Sequence, residues 1–152
     1  MVRVLGPVVA GMLAFLVASC DGGSHARQSL GPTLAFDNAW VRAPVAGRTV
    51  TAAYCEVTNP GNLPLDIIGF DSDHPGLRVE IHESTEHDGM MRMRRLERVT
   101  IPSKATVYFA PGGKHLMLFG FDGAAAEVTL AATLDGGETL PVVFAIRSEQ
   151  HR

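Results

Sequence analysis

Cysteine is scarce in this chain: 152 residues hold two, Cys20 and Cys55. Two thiols cannot build a disulfide framework or a four-thiolate zinc site. There is no Cys-x-x-Cys and no Gly-x-Ser-x-Gly, so thiol-disulfide chemistry and the common serine-hydrolase layout lack their motifs. An enzyme is therefore not expected. Positive charge is also short, with 13 Lys+Arg against 16 Asp+Glu and a net charge of -3. No basic surface for general nucleic-acid binding is expected from such a balance. Long apolar runs are limited to one near the start, and it is too short and too interrupted by Gly and Pro for the roughly 20 residues of a membrane span. Past Cys20, no window carries a convincing helical stripe of apolar residues. The length allows one ordinary domain.

Residues 1–19 read MVRVLGPVVAGMLAFLVAS, with Arg3 the only charge. A basic start, an apolar stretch and small residues at the end make a secretory signal peptide. Leu16-Val17-Ala18-Ser19-Cys20 resembles a bacterial lipobox, in which lipid on Cys20 anchors the mature protein without spanning the bilayer. The expected location is periplasmic or extracytoplasmic, as a membrane-anchored lipoprotein. Residues 20–33 are small, polar and Gly-rich, and read as a flexible tether. Part of the 46% hydrophobic share therefore belongs to the leader. The remaining methionines are Met90, Met91, Met93 and Met117, and Cys55 is the only thiol left unmodified.

From residue 34 onward the chain alternates short β-type runs with turn signals such as Asn59-Pro60-Gly61, Asp88-Gly89, Pro111-Gly112-Gly113 and Asp135-Gly136-Gly137. The runs cover 34–42, 50–58, 65–70, 77–83, 90–96, 106–109, 115–121, 125–134 and 140–147. This spacing predicts an all-β domain over 34–147, a sandwich or barrel, followed by a polar tail at 148–152. Alternation assigns faces. Leu77, Val79 and Ile81 point inward, so His82 points outward. Leu116 and Leu118 suit the core, which leaves His115 and Met117 sharing the other face, about 6.6 Å apart along the strand. Cys55 reads as a small buried hydrophobe, and Trp40 and Tyr54 as packing residues. Arg92, Arg94 and Arg95 read as a solvated face, with a docking patch for an acidic partner as the alternative.

His82, Met93, His115 and Met117 form the notable set. Thioether and imidazole together suit a soft Cu(I) ion. Thioethers neither need deprotonation nor form disulfides, which fits an oxidising compartment. Hard cations want oxygen ligands, and zinc rarely takes methionine. Met91 is a candidate auxiliary ligand, with packing an equal alternative. His87 is a weaker auxiliary candidate in a turn.

The spacing His-x10-Met-x21-His-x-Met resembles the signature of the periplasmic copper(I) chaperones of the PCuAC type, and all four positions match. Glu80-Ile81-His82-Glu83, Asp88-Gly89-Met90-Met91-Arg92-Met93 and Pro111-Gly112-Gly113-Lys114-His115-Leu116-Met117-Leu118 extend the likeness. The resemblance covers about residues 36 to 146. It implies a cupredoxin-like Greek-key β-sandwich whose Cu(I) ligands are His82, Met93, His115 and Met117. It also implies delivery of copper to a respiratory oxidase, the copper A centre of cytochrome c oxidase, with an oxidase subunit or a Sco-type protein as partner. Cys55 stands where the family more usually has an apolar residue. The His/Met-rich C-terminal extension of some relatives is reduced to His151, so a second, Cu(II), site is not expected. Two rivals stand beside this reading. A blue-copper-like electron carrier would need one cysteine thiolate, two imidazoles and a weak axial thioether, and Cys55 is the only thiolate on offer. A non-metal β-sandwich interaction module would make the spacing accidental.

Overall fold

The structure is a computed structural model, and it describes residues 34–148. The signal segment, Cys20 with the tether to residue 33, and residues 149–152 lie outside the described residues. Ten strands follow one another: β1 Ala35–Arg42, β2 Val50–Thr58, β3 Leu65–Asp71, β4 Arg78–His87, β5 Met90–Leu96, β6 Val99–Ile101, β7 Thr106–Phe109, β8 Lys114–Phe119, β9 Glu127–Leu134 and β10 Thr139–Arg147. They hydrogen-bond in the order β5-β4-β8-β7-β2-β1-β10-β9-β3-β6, with β8 also pairing β2. The sheet curls on itself, and the fold is the expected all-β, cupredoxin-like one. Most neighbours are antiparallel. β1 and β10 run parallel, with Trp40 opposite Ala145.

All nine expected strands are present, with ends displaced by a few residues. β4 runs on to His87, four residues past the expected end at Glu83. Ser84, Thr85 and Glu86 carry no apolar alternation. They are held as strand by pairing with β5, a tertiary contact that local pattern cannot supply. β8 ends at Phe119 rather than Phe121. Gly120 follows at φ 86°, and a Cβ there would meet the Gly76 carbonyl oxygen at 2.3 Å, so the chain turns where only glycine fits. The unexpected strand is β6. At three residues it is too short to show a period, and it forms by pairing with β3 at the sheet edge. Asn59 pins the neighbouring loop: its buried amide donates to the Leu63 and Ile101 carbonyls, and its oxygen accepts from the Gly61 N–H.

The core is built from one face of each strand. Val41, Val57, Ile67, Ile101, Leu116, Leu118, Leu130 and Phe144 are fully enclosed. Cys55 lies among them, buried, and burial pushes its thiol up to about 12. Trp40 and Tyr54 pack against each other with ring centroids 4.6 Å apart and planes tilted by 40°. The alternation that buries Ile81, Leu116 and Leu118 puts the even residues of β4 and the odd residues of β8 on the opposite face.

Candidate metal site

On that opposite face, β4 and β8 bring two histidines together. His82 is paired directly with His115, and Glu80 with Met117. The imidazole centroids are 6.1 Å apart with the planes at 47°. With a metal–nitrogen bond of about 2.0 Å, rings at 6.1 Å are spaced to flank one ion. On the other side of β4, Met93 of β5 is paired with Ser84, two residues from His82 and on the same face. All four predicted ligand positions therefore lie on one face of three adjacent strands.

The register of β5 depends on the Asp88-Gly89 turn. His87 faces Met90 across it, and both turn residues have positive φ, 53° and 74°. That is the two-residue hairpin turn that Asp-Gly favours. A one-residue slip would carry Met93 to the other face. Met91 lies on the Met93 face, one step nearer the hairpin tip and opposite Glu86. His87 is placed elsewhere. It ends β4 on the Ile81 side of the strand, is exposed, and sits 2.9 Å from Asp88 Oδ2. The structure does not bring His87 to the other four.

The set is less open than an outward-facing position implies. His115 is only 5% exposed, whereas Met93 is 55% exposed. Tyr54 packs its ring 6.5 Å from that of His115. The segment after β1 then forms the far wall of a cavity of about 390 Å³, lined by Pro44, Val45, Tyr54, Met93, His115 and Met117. The outward face of β8 is bordered here by Tyr54 and by the segment after β1, which alternation alone does not register.

Each histidine has one nitrogen committed. His115 Nδ1 lies 2.9 Å from the Gly113 carbonyl oxygen. A carbonyl carries no proton, so Nδ1 donates and Nε2 keeps its lone pair. His82 Nε2–H donates to Glu80 Oε2 at 2.8 Å. Its Nδ1 is buried and has no hydrogen-bond partner. A buried polar atom is normally satisfied, and an unpaired imidazole nitrogen beside a second imidazole has the chemistry of a metal ligand. Burial first, then the positive charges of Arg95 and Arg78, hold His82 below the ordinary histidine range. Glu80 does not reverse this, since its other oxygen is shared with Arg78 and, at 3.4 Å, Arg95. The ring is thus neutral at neutral pH, as a ligand must be.

Among the described residues, no group of three or more His, Cys, Asp and Glu is arranged to hold a metal. The candidate set reaches four residues only when thioethers are counted, on one face of β5, β4 and β8. Cys55 faces the core from β2 with Ala53 and Val57, while Tyr54 faces the histidines. Sequence reasoning missed Glu80 and the Gly113 carbonyl. The position of Glu80, two residues before His82 on one strand, was the available signal.

Residues 34–151 match the protein-family model described as "Putative lipoprotein LpqE-like". The chain belongs to the LpqE-like family. A relative from Leifsonia xyli subsp. xyli (strain CTCB07), "Putative lipoprotein Lxx21020", is 30% identical over 113 residues, 72% of this chain. The chain spans 66% of that relative's length. Among solved structures, the copper-bound PCuAC domain from PmoF2 is similar with a TM-score of 0.64 at 20% identity, over 78% of this chain and 95% of that one. Cu(I)-loaded DR1885 from Deinococcus radiodurans is similar with a TM-score of 0.59 at 25% identity, over 82% and 84%. The LpqE-like chain thus has the fold of PCuAC domains, and both its family and its relative are described as lipoproteins.

Proposed function

We propose that this LpqE-like protein is an extracytoplasmic copper chaperone that carries one Cu(I) on His82, Met93, His115 and Met117. The carrying observation is the unpaired, buried Nδ1 of His82, in a ring 6.1 Å from that of His115 and on the same strand face as two methionines. Four neutral ligands stabilise Cu(I) and leave out the thiolate that would slow release. The copper-bound PmoF2 domain and Cu(I)-DR1885 share the fold, which supports the same cargo.

The unequal exposure of the ligands gives transfer a direction. Met93 is the most open, so an incoming ligand replaces its thioether first. The buried His115 lets go last. Met91, one step outward on the same face, serves as an auxiliary thioether during exchange. His87, at the hairpin tip, takes no part in the first bond. Ligand exchange requires no catalytic group. The acceptor is a copper site of a respiratory oxidase, copper A of cytochrome c oxidase, reached directly or through a Sco-type protein. Lipid on Cys20 holds the domain at the membrane, where such an acceptor lies. The burial of Cys55 in the core weighs against a blue-copper centre.

X-ray absorption of the Cu(I)-loaded protein tests the ligand set. Two sulfur and two nitrogen neighbours are expected, and Met93→Leu and Met117→Leu each remove one sulfur. An unchanged sulfur count in both variants overturns the assignment.

A further inference from the structure

The carboxylate of Glu80 has no ligand position of its own in this reading, yet it is built into the site. It lies two residues before His82, on the same face of β4 and opposite Met117. Its side chain is only 12% exposed. One oxygen is held by Arg78 and Arg95. The other accepts the Nε2–H of His82 at 2.8 Å. Arg78 is in turn seated over the Phe119 ring, 4.2 Å from its centroid. The carboxylate is therefore fixed from both sides, which a lone surface acid would not be.

We propose that Glu80 is the positioning residue of the copper site: by holding the Nε2–H of His82 it presents Nδ1, and not Nε2, to the ion. This rests on the reading of His82 as a ligand. The two histidines then bind through different nitrogens, because Gly113 holds the Nδ1–H of His115 and leaves its Nε2 free. The asymmetry has a geometric reason. His82 and His115 are directly paired across adjacent strands. Nδ1 lies next to Cβ, so binding through it keeps the ion close to β4. The longer reach of Nε2 lets His115 approach from β8. The carboxylate also raises the donor strength of the imidazole, as outer partners of metal-bound histidines do.

The test starts with the apo protein at neutral pH, using nitrogen-15 NMR of the histidine rings, and requires no variant for its first result. His82 is expected as the Nε2–H tautomer; an Nδ1–H tautomer overturns the proposal. In Glu80→Ala the tautomer is expected to become mixed, with Cu(I) affinity falling about 10–100-fold, the usual loss when such an outer partner is removed. Glu80→Gln keeps an acceptor oxygen and is expected to retain both the tautomer and most of the affinity. A merely structural role for Glu80 would not move the tautomer. Unchanged affinity in Glu80→Ala, with or without a tautomer shift, overturns the proposal. His82→Ala separates the two levels: if it weakens Cu(I) binding while Glu80→Ala does not, only the positioning role fails. If His82→Ala leaves affinity intact, the ligand assignment itself has failed and the proposal with it.

Discussion

In the proposed copper site Met93 and His115 differ in what surrounds them, and their substitutions should differ accordingly. Met93 stands on an edge strand and packs against little. Met93→Leu should leave unfolding free energy within about 0.5 kcal/mol of wild type while lowering Cu(I) affinity in competition against a chelator. His115 is buried, and its Nδ1–H donates to the Gly113 carbonyl, which also accepts the Ser84 N–H. His115→Ala should cost roughly 0.5–3 kcal/mol in urea denaturation, since a buried ring and its hydrogen bond are lost together, and should lose copper as well. His82 adds a pH dependence. Its folded-state value lies below the ordinary 6.5 of an unfolded chain. The unfolded chain therefore takes the proton first. Apo stability should be flat at higher pH and fall as pH drops below 6.5 towards the folded value. In His82→Gln that fall should shrink, as followed by thermal denaturation across pH. The residue types were legible here: thioether and imidazole at a defined spacing carry their chemistry with them. Exposure was not, because alternation names a face and cannot say what lies over it.

The β4–β5 hairpin sets which face of the sheet Met93 occupies. Gly89 has φ 74° and open space around the position of a Cβ, so a substitution there tests backbone conformation alone. Gly89→Ala should destabilise by roughly 1–2 kcal/mol, the usual penalty for the left-handed region. Hydrogen exchange should quicken first in β5, and Cu(I) affinity should fall although no ligand was touched. Unaltered exchange in β5 would show that the turn does not govern the strand. Asp88-Gly89 was readable as a turn, and β5 was placed correctly from Met90 to Leu96. The extension of β4 to His87 and the whole of β6 were not readable. Both are polar or very short segments held as strand by their pairing partners.

Across the whole molecule, copper binding and folding should be linked. The histidine pair joins β4 to β8, and Met93 adds β5, so an unfolded chain holds no such site. Free Cu(I) at about 100 times the dissociation constant should raise stability by about 2.7 kcal/mol, visible as a rise in melting temperature that Met117→Leu reduces. The core also protects Cys55: its thiol, at about 12, should stay inert to thiol reagents in the native protein and react only on unfolding. By itself the sequence determined the β class, the faces of the strands and the chemistry of the proposed ligands, because a period of two and the softness of sulfur and imidazole are local properties. Only the tertiary structure decided that His82 and His115 are partners 6.1 Å apart, that one is nearly closed from solvent, and that Glu80 commits one nitrogen of His82. Those follow from which strands neighbour each other and in what register, and the register of β4 on β8 is fixed by pairings between residues far apart in the chain.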